Sequence, residues 1–134
     1  MVARWAIAEG WPGRSKDVPL DEAEFVQLLR LPQHYSHALA DEAGSVVGFG
    51  QVWINPAGRV NLVRVLVDPA RRGQGIGRRL CALLFAEAQR HSADGSVWLR
   101  VRRDNAAAIS VYRALGFEVI EIESNDVACS MRFG

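Results

Sequence analysis

Cysteine is scarce: the chain has two, Cys81 and Cys129, in 134 residues. Two thiols make no disulfide framework, so the fold has to rest on a hydrophobic core, and both read as buried thiols of a reducing cytoplasm. No apolar run approaches the ~20 residues of a membrane span. The first residues, MVARWAIAEGWPGRSK, contain no signal-peptide core followed by a small-residue cleavage site, so a cytoplasmic location is expected. An excess of charge of one sign is lacking too. The net charge of +1 gives no general reason to expect nucleic acid or a membrane as partner. The three histidines, His34, His37 and His91, join no CxxC or HExxH pattern, so no metal is expected. No repeat and no low-complexity segment is present.

What remains is an ordinary globular composition, 49% apolar and 23% charged, long enough for one domain over residues 1–134. Ala3–Glu9 reads as a weak first strand and Trp11–Lys16 as a loop. Asp21–Glu24 opens a helix that ends near Pro32. Tyr35–Ala40, Ser45–Ile54 and Arg59–Val67 read as strands separated by turns at Asp41–Gly44 and Asn55–Gly58. From Gly75 the period changes. Ile76, Leu80, Leu83, Leu84 and Ala88 recur at helical spacing, and Ala93-Asp94-Gly95 ends that helix. Val97–Val101 is a strand, Asp104 or Asn105 can cap a helix running to Leu115, and Gly116 suits its C-terminus. Phe117–Ile122 and Val127–Phe133 close the chain as strands. The class is therefore mixed α/β: a meander, then β-loop-α-β-α-β-β.

The densest information lies in VLVDPARRGQGIGRRL, Val65 to Leu80. An apolar strand stops at Asp68-Pro69, a glycine-rich turn follows, and a helix begins. Free N–H groups at a helix start, with the positive end of its dipole, bind phosphate or pyrophosphate, and glycines let backbone approach the anion. Arg71, Arg72, Arg78 and Arg79 crowd that start. Cations there are unfavourable by about 0.3–1 kcal/mol each unless an anion sits among them. The loop is not a Walker A loop, because no Gly-Lys-Ser/Thr follows. Nor is Gly73-Gln74-Gly75-Ile76-Gly77 the GxGxxG fingerprint of dinucleotide-binding domains.

Arg72-Gly73-Gln74-Gly75-Ile76-Gly77 resembles the (Gln/Arg)-x-x-Gly-x-(Gly/Ala) signature of the GNAT superfamily of acyl-CoA-dependent N-acyltransferases. About thirty residues on, Asn105 to Phe117 (NAAAISVYRALGF) resembles the family's second signature, N-x-x-A-x-x-x-Y-x-x-x-G-F. The resemblance runs from about Ser45 to Phe133. It implies a twisted, mostly antiparallel mixed sheet of six to seven strands, flanked by about four helices and splayed between its two middle strands. It also implies acetyl-CoA as co-substrate. The segment Arg72, Gly73, Gln74, Gly75, Ile76, Gly77 and Arg78 would hold the pyrophosphate. The exposed backbone of Val65, Leu66 and Val67 would pair with the pantetheine arm, Asn105 would contact that arm, and Tyr112 would be the general acid. The spacing agrees independently: Asn105, Ala108 and Tyr112 stand at i, i+3 and i+7 on one helix face, the small alanine leaving room for a thin ligand.

One position departs from the family. Some members carry a glutamate general base sixteen residues before the last loop glycine, where this chain has Asn61. An amide takes no proton at neutral pH, so Asn61 is expected at most to hold a water that relays one. His34, Tyr35, His37 and Glu22 are the other candidate bases. Arg64, with Arg59 on the same strand, would favour a carboxylate-bearing substrate if it faces the cleft and would mean nothing if it faces solvent. Trp98 could line the acceptor cleft, and Trp5, Trp11 and Trp53 read as core or cleft wall. Both cysteines are expected outside the cleft. The implied reaction is direct acetyl transfer to a primary amine, on a small molecule or a peptide, by a monomer or homodimer. A non-catalytic acyl-CoA-binding domain is the alternative that Asn61 leaves open, and a nucleotide-phosphate binder of another fold is a second.

Overall fold

The computed structural model describes residues 22–134. The expected strand Ala3–Glu9, the loop Trp11–Lys16, Trp5 and Trp11 lie outside the described residues. The elements are α1 (Glu22–Leu29), β1 (His34–Ala40), β2 (Val46–Ile54), β3 (Val60–Val67), α2 (Ile76–His91), β4 (Val97–Arg102), α3 (Ala106–Ala114), β5 (Glu118–Ile120) and β6 (Ala128–Phe133). Six strands form one sheet in the order β1-β2-β3-β4-β6-β5. Every neighbouring pair is antiparallel except β3 and β4 at the centre, which run parallel. The mixed, mostly antiparallel sheet expected from the sequence is therefore present, with three α-helices among the described residues.

The sheet's inner face is covered by α2. Leu80, Leu84 and Ala88 are buried, as the helical period predicts, and they meet Val52, Val97, Leu99 and Met131. Leu83, expected with them, is 49% exposed. The i, i+4, i+8 row of Leu80, Leu84 and Ala88, with Cys81 beside it, fills the stripe, and Leu83 falls off its edge. Two strand glycines let α2 come close. A Cβ at Gly50 would run into the buried Leu84 side chain, and one at Gly48 would stand 3.0 Å from Leu80 Cδ2. Gly50→Ala is accordingly expected to lower stability by about 1–3 kcal/mol through overpacking. The measurement is a urea unfolding curve; a shifted midpoint at constant slope is the expected result, and an unmoved midpoint would show that Leu84 swings aside freely.

The far end of the core is aromatic. Phe85 meets Phe133 and Phe117 edge-on at centroid distances of 4.6 and 5.3 Å, and Tyr112 meets Phe117 at 5.8 Å. These contacts clamp α3 to α2 and to β6. The strand expected to run to Ile122 stops at Ile120, because Glu121–Glu123 forms a 3-10 turn. The Ser124 hydroxyl donates to the Ile120 carbonyl at 2.7 Å and holds that turn.

Candidate functional site

The parallel pair β3/β4 is joined only at its beginning. Asn61 is in register with Trp98 and Leu62 with Leu99, and beyond them the two strands part. On its other side β3 stays paired with β2, with Leu66 opposite Phe49 and Val67 opposite Gly48. The Asp68 N–H donates to the Val47 carbonyl at 2.9 Å. Antiparallel strands alternate hydrogen-bonded and non-hydrogen-bonded pairs. The backbone of Leu66 therefore turns toward β2, while that of Val67, and of Val65 before it, turns into the opening. A bulge accompanies the parting: Gln51 pairs with Val63 but Phe49 with Leu66, and Arg64 sits in the left-handed region at φ 52.

The opening continues into a groove of about 410 Å³. At its wide end is the glycine loop. Asp68 caps the short turn Pro69–Arg71 by accepting from the Ala70 N–H at 2.9 Å. Gly73 and Gly75 then take φ values of 78 and 76, which side-chain-bearing residues rarely adopt. Gly75 caps α2 and has no side chain to bond the helix start, and the first turn contains no acidic residue. The first intrahelical bond runs from the Arg79 N–H to the Gly75 carbonyl at 3.2 Å. The leading N–H groups of α2 thus point outward at its positive end, an arrangement suited to an anion. Arg71 is pinned beside it. Its guanidinium donates to Asp41 at 3.0 Å and to the Gln74 side chain at 3.1 Å, and it holds the Asp41 carboxyl below its usual range.

The opposite wall is α3. Asn105 is its cap, its side-chain oxygen accepting from the Ala108 N–H at 3.2 Å, while Asp104 is engaged by Arg102 instead. Asn105, Ala108 and Tyr112 all face the groove, as their spacing predicts. Tyr112 is 6% exposed. Burial, and then the neighbouring Cys81, push its hydroxyl well above the usual tyrosine value, so it stays protonated. Cys81 corrects an expectation: it lines the groove and interacts with Tyr112 rather than lying outside. The reason is geometric. The glycine loop aims the inner face of the first turns of α2 at the crevice, and Cys81 stands one turn beyond Gly77. Burial pushes its thiol up to about 11.

Of the expected phosphate-loop residues, Arg72, Gly73, Gly75, Ile76 and Gly77 line the groove. Gln74 is turned to Arg71, and Arg78 is exposed outside the lining. The candidate bases are not gathered there. His34, Tyr35 and His37 lie on β1, an edge strand separated from β3 by β2. His34 stacks on Trp53 at 5.5 Å and Tyr35 on His91 at 4.3 Å. Glu22 begins α1. Asn61 sits in the paired part of β3, its amide donating to the Arg59 carbonyl at 3.1 Å, outside the groove lining. The guanidinium groups of Arg59 and Arg132 lie over the Trp98 ring, 4.7 and 5.1 Å from its centroid. Arg59 itself pairs with Glu123 at 2.7 Å. Arg64 and Arg100 do line the groove. No motif marks Arg100 or Cys81; strand alternation from Leu99 and helical spacing from Gly77 were the available signals.

A strand splayed at a bulge, a glycine loop at a helix N-terminus and a tyrosine on the opposing helix together define a cofactor groove of one kind. The acetyltransferase (GNAT) family model matches residues 3–117, and the chain belongs to that family. It is similar to the N-alpha-acetyltransferase RimI of Mycobacterium tuberculosis, 36% identical over 105 residues, covering 76% of this chain and 63% of the relative. It also resembles the mycothiol acetyltransferase of Mycolicibacterium smegmatis, 32% identical over 117 residues, covering 86% of this chain and 38% of that one. It thus spans less than two thirds of either relative. Among solved structures, the ribosomal-protein-S18-alanine N-acetyltransferase of Escherichia coli superposes with a TM-score of 0.70 at 26% identity, over 98% of this chain and 84% of that one.

Proposed function

We propose that this chain transfers the acetyl group of acetyl-CoA directly to a primary amine. The observation that carries the reading is one continuous groove that runs from the leading N–H groups of α2 to the Tyr112 side chain along the unpaired edge of β3. The pyrophosphate of coenzyme A suits the loop, and its pantetheine arm can pair with Val65–Val67 as an added strand. The thioester then lies near the parting of the strands. The neutral amine attacks the thioester carbon, forming the C–N bond, while the Val65 N–H polarises the carbonyl oxygen. Collapse of the intermediate breaks the C–S bond. Tyr112 gives its proton to the departing sulfur, and the proton lost by the amine ultimately restores it. Holding thioester and amine together supplies much of the rate. The relatives' names, a ribosomal protein's alanine in one and mycothiol in another, make peptide and small-molecule amines both reasonable acceptors.

The reading is tested by incubating the protein with acetyl-CoA and an acceptor panel and following free thiol and acetylated amine together. Equal release of both supports it. A specific observation favours a second reading, a domain that binds acyl-CoA without turnover: no carboxylate or imidazole lines the groove among the described residues. Under the transferase reading this has a consequence of its own. If no protein base acts beyond the described lining, kcat/KM should rise about tenfold per pH unit until the acceptor's own amine titrates, and an acidic limb near pH 4–7 set by a protein group would contradict it.

A further inference from the structure

Arg64 is held where a cation has a use only if an anion comes to it. It is the bulge residue of β3, in a left-handed backbone conformation that a residue with a side chain rarely adopts. Its Nη1 donates to Gln51 Oε1 at 3.0 Å. Gln51 is fully buried and is itself fixed, its Nε2 donating to the Leu28 carbonyl of α1 and to Ser36 Oγ, both at 3.0 Å. The guanidinium is thereby aimed, not merely tethered. Arg64 is half-buried, and burial alone lowers its pKa; among the described residues no carboxylate pairs with it. Its neighbours differ: Arg71 pairs with Asp41, Arg102 with Asp104 and Arg59 with Glu123.

Position gives the orphan charge its meaning. Leu62 and Leu99 are the last paired residues of β3 and β4, so Arg64 and Arg100 stand at the closed end of the groove, farthest from the glycine loop. Both lie on the sheet face away from α2. Gly50 faces Leu84, so its neighbour Gln51, and Arg64 with it, face the other way; Leu99 is in the core, so Arg100 does as well. Arg100 likewise bonds only neutral oxygens, the Glu123 carbonyl and Ser130 Oγ, each at 3.1 Å. Resting on the transferase reading, which puts the thioester at this end, we propose that the acceptor amine carries a carboxylate and that Arg64 binds it, with Arg100 adding to the local positive potential. A guanidinium with one nitrogen anchored and its others open presents a fork to a carboxylate, and binding relieves the cost of a half-buried unpaired cation.

The test uses acceptor pairs that differ only in charge: α-amino acids against their α-amides, and dipeptide amides containing aspartate or glutamate against those containing asparagine or glutamine. The first set probes an α-carboxylate, the second a side-chain carboxylate. Wild type should favour the acid of at least one set by about 10- to 100-fold in kcat/KM. Arg64→Gln should abolish that preference while coenzyme A still binds within about twofold by calorimetry, which also shows that the variant folds. Arg64→Lys keeps the charge without the fork and should retain part of the preference; it carries the test if the glutamine variant does not fold. Equal or inverted preference in wild type, or an acid preference that survives Arg64→Gln, overturns the proposal. If no acceptor is turned over at all, the transferase reading fails separately. Calorimetry of the same acids into coenzyme A-loaded protein then decides: Arg64-dependent binding of the acid over the amide supports the site, and its absence overturns it.

Discussion

Tyr112→Phe is expected to lower kcat by about 100- to 10,000-fold while leaving coenzyme A affinity nearly unchanged. The substitution removes one oxygen and keeps the ring, so the edge contact with Phe117 at 5.8 Å and the packing of α3 persist. What is lost is the proton donor at the sulfur, an interaction needed only as the thiolate departs, which is why the effect belongs in kcat rather than in binding. The pH profile sharpens the expectation. Burial and Cys81 raise the Tyr112 pKa. An acid works while protonated, so a raised pKa extends the active range upward, and no alkaline loss assigned to this tyrosine should begin below about pH 10. Stopped or initial-rate assays beside calorimetric titration of coenzyme A make the separation. Turnover within about threefold of wild type would make Tyr112 a wall residue, and absence of any Tyr112-dependent turnover would favour the binding-module reading.

Gly75→Glu is expected to weaken acetyl-CoA binding by about 100-fold or more. At φ 76 the position is strained for any side chain, and a Cβ there meets nothing within 4 Å, so the new carboxylate would stand in the open space before the N-terminus of α2. That is the space assigned to the pyrophosphate, and like charges a few ångströms apart near a protein surface repel by about 4 kcal/mol. Gly58→Glu is the matched control: φ is 83, the surroundings are equally open, and the position is outside the groove lining. Both variants carry similar backbone strain and the same added charge, and only the loop variant should lose the cofactor. Equal affinity in the two variants would move the phosphate site away from the loop.

Much of this site was readable because it is local. The glycine loop needs positive φ at fixed offsets from a strand end and a helix start, and Gly73 and Gly75 adopt it. Asn105, Ala108 and Tyr112 share a face by helical geometry alone, and Asn105 caps as its residue type predicts. The mixed α/β class followed from the order of the elements, and the mostly antiparallel sheet from the family resemblance. The misses are non-local. Leu83 satisfies the helical period yet stays exposed, since the period specifies a stripe and not its width. The strand expected through Ile122 gives way to a turn held by Ser124, a choice made by side-chain bonds across the bend.

By itself, then, the sequence determined where phosphate-binding backbone would form, which helix face would oppose it, and the family whose signatures those are, because each depends on contacts within a few residues. Only the tertiary structure decided that Arg64 faces the groove, that Cys81 touches Tyr112, and that His34, Tyr35 and His37 lie two strands from the parting of β3 and β4. Those relations join residues far apart in the chain. They depend on a bulge in β3, on two glycines that bring α2 onto β2, and on a parallel pairing that ends after two residues, none of which a local pattern records.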